Sequence, residues 1–140
     1  MGAGTHYHIA GQGGARPDMG VIADPAQQAW ATTGYSSVID YYNNGGRANF
    51  SNDLAFPGLE AGGDIDNYAV QVSGTIVIPS TGEWTFGVNS DDGFRLTVGS
   101  FQISYANPRG PGDTLGVFNV PAPGDYPLRL VFYERGGGSE

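Results

Sequence analysis

From Tyr68 onward, apolar side chains fall on every second position in six short runs. No pattern in the chain constrains its fold more. YAVQVSGTIVIP puts Val70, Val72, Ile76 and Ile78 on one face, and EWTFGVN does the same with Trp84, Phe86 and Val88. FRLTV aligns Phe94, Leu96 and Val98; FQISY and TLGVFNV follow; YPLRLVFY aligns Tyr126, Leu128, Leu130 and Phe132. Alternation at period two is the mark of a strand with one buried face. The runs are separated by PSTG, SDDG, ANPRGPGD and PAPGD, all turn-forming sequences. Six such strands predict an all-β fold, an antiparallel β-sandwich or barrel.

The first third is less regular. THYHIAG predicts an opening strand. DPAQQAWATTG carries a helix start, with Asp24 as N-cap and Pro25 at the first helical position. SSVIDYYNN predicts a second short helix ending at Gly45 and Gly46. The next stretch is a long excursion, pinned across an open face of the sandwich by Phe50, Leu54, Phe56 and Leu59. With 140 residues, no internal repeat and no second composition block, the chain reads as one domain, 1–140. Residues 1–64 hold the opening strand, short helices and long loop; residues 65–140 hold the sheet core.

Charge narrows the partners. Asp and Glu number 14 against 6 Arg, Lys is absent, and the net charge is −8. Phosphate binding needs a basic face, so nucleic acid is not an expected partner. Divalent cations and neutral ligands suit this balance better. Cysteine is absent, which removes thiol chemistry and disulfides. No run is long enough for a membrane span and no signal peptide is legible, so no membrane insertion is expected.

Within so few charges, Asp91 and Asp92 stand side by side between two apolar runs. Two readings fit SDDG. It is a two-residue hairpin turn, since Asp-Gly suits such turns, or it is a metal clamp. Neighbouring side chains on an extended trans backbone point apart. A cis peptide between the two would swing both carboxylates to one side at a cost of roughly 3–4 kcal/mol, which a calcium ion could offset.

YAVQVSGTIVIPSTGEWTFGVNSDDGFRLTV resembles the protective-antigen-fourteen domain family of anthrax protective antigen, yeast flocculins and bacterial adhesins. Pro79, Gly82, Trp84, Phe86, Ser90, Asp91, Asp92, Gly93, Arg95 and Leu96 carry the likeness, and LRLVFYERGGG at 128–138 resembles the family's late strand and glycine-rich loop. The resemblance covers about residues 65–140. It implies a β-sandwich whose Asp pair forms a cis peptide and binds calcium, which in lectin members also holds sugar hydroxyls. Asp91 and Asp92 would then be metal ligands, with Glu134 as an extra carboxylate and backbone carbonyls, Gly136 among them, from the 133–138 loop. Asp91, Asp92, Arg135 and Gly137 would face the ligand. Calcium takes about 6–8 oxygens, so water or ligand hydroxyls would complete the shell. The loop here reads ERGGGS, without the Asn that fungal lectin members carry.

Smaller acidic and imidazole groups have two readings each. Asp64 and Asp66 in DIDN are either a solvated loop with an Asx turn or a second calcium site beside Asn52 or Asp53. His6 and His8 share a strand face, but no third zinc ligand is identifiable.

The expected function is a non-enzymatic, secreted or cell-surface calcium-binding module for adhesion, with glycans or surface polysaccharide as partners. Only two histidines are present, and adjacent Asp residues do not give the separated carboxylates of a glycosidase. The alternative is a self-assembling matrix or filament subunit that uses calcium structurally. There the chain would end before a closing strand, leaving an exposed sheet edge for strand exchange, with THYHIAG as donor.

Overall fold

A computed structural model describes residues 5–12, 28–42, 54–57 and 66–137. Ten strands occur in this part: β1 (Thr5–Gln12), β2 (Gln28–Ser36), β3 (Tyr41–Tyr42), β4 (Leu54–Ala55), β5 (Tyr68–Ile78), β6 (Gly82–Ser90), β7 (Phe94–Val98), β8 (Phe101–Tyr105), β9 (Gly112–Val120) and β10 (Gly124–Glu134). The six runs read from alternation are β5 to β10. One sheet has the order β2-β1-β5-β10-β7-β8, with β6 and β9 paired in a second layer and β3 and β4 forming a short parallel pair.

The inward residues of the two layers meet in one core. Tyr68, Val70, Val72, Ile78, Phe94, Leu96, Val98 and Phe132 from the large sheet are buried, as are Phe118 and Val120 from β9. Rings bridge the layers: Phe118 stacks on Phe101 at 5.3 Å and meets Tyr126 edge-on at 5.6 Å. At the other side Phe56 stacks on Phe132 at 6.0 Å, as expected of a residue pinning the excursion. Leu54 lies in β4, and Phe50 and Leu59 lie outside the described residues.

Local chemistry explains the joints. Val98 pairs with Phe101, so Gly99 and Ser100 form a two-residue hairpin loop. Gly99 has φ 57°, where a side chain is strained, and a Cβ there would meet Tyr126 Cδ1 at 2.9 Å. Pro127, which has no N–H to give, lies beyond the stretch of β10 that pairs with β7.

Both expected helices are corrected. The run expected to be the first helix is β2 from Gln28 onward, hydrogen-bonded to β1 from Thr5↔Ser36 to Gln12↔Gln28. Thr32, Thr33 and Tyr35 favour the strand, and pairing outweighs a local cap signal; Asp24 and Pro25 lie outside the described residues. In the second, Ser36 Oγ donates to the Val38 carbonyl at 2.7 Å and accepts from the Val38 N–H at 3.4 Å. That local loop competes with helix formation, and Tyr41 and Tyr42 continue as β3.

THYHIAG is a strand, but an interior one. It pairs with β2 on one side and β5 on the other, so it completes its own chain's sheet instead of standing free as a donor.

Candidate metal centre

The sequence SDDG joins strands of different layers. Ser90 ends β6, whose partner is β9, while Phe94 begins β7, whose partners are β10 and β8. The hairpin reading is therefore overturned, because β6 and β7 are not paired. Among the described residues no peptide is cis, so the peptide between Asp91 and Asp92 is trans, contrary to the expected clamp. The chain bends at this crossover and is not extended, which lets adjacent side chains converge without that isomer.

Register brings in the third carboxylate. Phe132 pairs with Phe94, and the Tyr133 N–H donates to the Gly93 carbonyl at 2.9 Å, so the next step sets Glu134 beside Asp92. The close approach needs glycine: a Cβ on Gly93 would lie 2.2 Å from Tyr133 Cε1 and 2.9 Å from the Tyr105 carbonyl oxygen. Asp91, Asp92 and Glu134 each place a carboxylate oxygen within 4.8 Å of the others. Asp91 is half-buried, while Asp92 and Glu134 are only 4% and 0% exposed.

The three carboxylates are held differently. Asp92 accepts two main-chain N–H bonds, from Arg109 at 3.2 Å on Oδ1 and from Arg135 at 2.8 Å on Oδ2. Its own carbonyl accepts from Ser90 Oγ at 2.8 Å. Glu134 Oε1 accepts from the Gly136 N–H at 2.7 Å, but buried Oε2 has no hydrogen-bond partner. Burial pushes the Glu134 carboxyl up to about 8, reinforced by the charges of Asp92 and Asp91, against the lowering effect of the Gly136 N–H. Burial also raises the Tyr133 phenol, with Asp92 adding to it. Tyr133 donates its hydroxyl to the Ala106 carbonyl at 2.8 Å.

The other expected site residues fall around this cluster. Arg135 and Gly136 meet it through their N–H groups, and the Gly137 N–H donates to Asp66 Oδ1 at 3.2 Å. Asn67, left-handed at φ 58°, leads from Asp66 into β5. Asp66 thus lies at the rim of the first cluster, and its charge also raises the Glu134 carboxyl. Asp64, Asn52 and Asp53 lie outside the described residues. His6 packs edge-on against Tyr35 at 5.3 Å. Among the described residues, the acidic trio is the one group of three or more metal-ligating side chains.

Arg109 and Ser90 were not legible as site residues. The guanidinium of Arg109 lies 4.1 Å over the Tyr105 ring and donates from Nε to the Ser90 carbonyl, and from Nη2 to Ser90 Oγ and the Gly112 carbonyl. A single Arg inside the turn ANPRGPGD was the available signal, but its partners are distant in sequence. A cleft of about 540 Å³ between the layers is lined mostly by apolar residues such as Phe86, Val88, Leu96 and Leu130; Ser90 reaches it.

The residues fit a calcium ion. Two oxygens bound about 2.4 Å from one ion are at most about 4.8 Å apart, and the trio satisfies that limit. A divalent cation would cancel the mutual repulsion and give Glu134 Oε2 a partner.

A two-layer antiparallel β fold with an acidic trio at the layer crossover defines a small β-sandwich module. The family profile for the PA14 domain matches residues 61–140, more than half of the chain, and the protein belongs to that family. PA14 domains are extracellular modules associated with adhesion and carbohydrate binding. No curated protein matches the sequence.

Proposed function

We propose that this protein is a non-enzymatic, calcium-dependent carbohydrate-binding module for adhesion outside the cell. Asp91, Asp92 and Glu134 would hold Ca2+, with carbonyls of the 133–138 loop, Gly136 among them, and ligand hydroxyls completing the shell. Half-buried Asp91 is the side from which a glycan would reach the ion, with Arg135 and Gly137 at its rim. Asp66 belongs to this centre in our reading, in place of a second site. The observation that carries the proposal is a buried carboxylate with an unpartnered oxygen, Glu134 Oε2, inside a trio that fits one ion.

The test is thermal melting of the native protein and Asp92→Asn in chelator and in millimolar calcium, followed by glycan binding in the same two conditions. The melting temperature of the native protein should rise with calcium, that of the variant should not, and sugar binding should vanish in chelator. A native protein indifferent to calcium would remove the proposal.

Leu115 and Val117 favour a second reading. They are 68% and 56% exposed on the outer face of β9, as expected if copies associate there in a matrix or filament. Light scattering across protein concentration separates this reading from the first.

A further inference from the structure

We infer that Arg109 is a positioning residue for the acidic trio: it fixes the crossover so that Asp92 presents its carboxylate to the cation. The inference rests on the proposed calcium reading for its function, while its geometry stands on hydrogen bonds within this chain.

Arg109 closes a ring of hydrogen bonds. Its main-chain N–H donates to Asp92 Oδ1, and its Nη2 donates to Ser90 Oγ at 2.9 Å. Ser90 Oγ in turn donates to the Asp92 carbonyl. The same guanidinium holds the Ser90 carbonyl through Nε at 3.1 Å and the Gly112 carbonyl through Nη2 at 2.6 Å, with Tyr105 under its face. The last residue of β6, the first of β9 and the end of β8 are thereby tied to one planar group. Each Asp92 oxygen takes one N–H and keeps a further lone pair, so the anchoring does not use up its capacity for a cation. A lysine in place of Arg109 keeps the charge but lacks the planar fork that serves two acceptors on different strands.

The sign of the effect separates positioning from charge. Removing a cationic side chain near a cation site should, by Coulomb's law alone, tighten cation binding. Loss of positioning should weaken it, by about tenfold or more where an outer hydrogen-bond partner orients a ligand.

The experiment is calcium titration by calorimetry of the native protein, Arg109→Gln, Arg109→Lys and, as a control for net charge, Arg95→Gln on the exposed outer side of β7. Amide hydrogen exchange in chelator is read alongside at Arg135, whose N–H donates to the other Asp92 oxygen, and at Val72 in the core. Both Arg109 variants should bind calcium about tenfold or more weakly, and Arg95→Gln should not. In chelator, Arg135 should lose protection in both Arg109 variants while Val72 keeps it. Unchanged or tighter calcium binding in Arg109→Gln, or unchanged Arg135 protection, overturns the inference. If the native protein takes no calcium the functional proposal fails, and the Arg135 amide still decides the role of Arg109.

Discussion

Replacing Glu134 by Gln tests whether the trio is a frustrated anion cluster, and the sign can be worked out. Glu134 is fully buried, and its carboxyl is pushed from 4.5 to about 8 by burial and by its acidic neighbours. Below 4.5 both folded and unfolded chains hold this proton. Between 4.5 and about 8 the folded chain holds it and the unfolded chain does not, so stability falls as pH rises. The slope reaches roughly 1.4 kcal/mol per pH unit, and the interval amounts to roughly 5 kcal/mol at most. In chelator the native protein should therefore melt lower at pH 8 than at pH 5.5. Gln keeps an acceptor for the Gly136 N–H and sets an uncharged donor where Oε2 stood. Glu134→Gln should then melt higher than the native protein at pH 8, on the order of 10 °C for about 3 kcal/mol, and equal to it near pH 4.5. Calcium reverses the ordering. The ion competes with the proton, so its stabilisation of the native protein should grow from pH 6 to pH 8 and be much reduced in the variant. Differential scanning calorimetry in chelator and in calcium reads both effects. A native melting temperature flat from pH 5.5 to 8 in chelator, or a variant less stable at pH 8, would refute the reasoning.

Two further substitutions probe the frame that holds the cluster. Gly93→Ala should lower stability by roughly 1–3 kcal/mol, because its Cβ would lie 2.2 Å from the Tyr133 ring; urea unfolding measures it, and a cost below 0.5 kcal/mol would contradict the close approach. Phe118→Ala should cost about 3–5 kcal/mol, since the ring packs on Phe101 and Tyr126 between the layers. The same titration would show little loss if the layers did not meet through this side chain.

Strands β5 to β10 were legible because each buries one face over most of its length, which forces alternation onto the sequence, although β5 and β10 bury both faces where Ala69 and Val131 lie. The signal failed where pairing decided the outcome. Asp24, Pro25 and the Ala- and Gln-rich run after them spell a helix start locally, yet Gln28–Ser36 lies hydrogen-bonded to β1. Asp91 and Asp92 were legible as a charge anomaly, and Glu134 through the resemblance to PA14 domains. Their juxtaposition follows from register, Phe132 opposite Phe94, which no local window contains. Arg109 was invisible for another reason: its contact with Asp92 is made by a main-chain N–H, which every residue but proline possesses.

The crossover itself accounts for one carboxylate of the three. A chain passing between layers about 10 Å apart leaves its ladder partners behind, and main-chain N–H groups of the segments around it need acceptors. Asp92 supplies them, taking the N–H groups of Arg109 and Arg135, while Ser90 Oγ serves the Asp92 carbonyl. Glu134 is different. The Gly136 N–H satisfies one of its oxygens and the other is buried without a partner, beside two more carboxylates that oppose its ionisation. If the trio served the fold alone, an uncharged side chain at position 134 would hold Gly136 equally well and avoid the repulsion. The proposed calcium ion would supply what the fold does not, displacing the proton and pairing the buried oxygen. Such an ion would have to be small enough to touch three oxygens within 4.8 Å of one another.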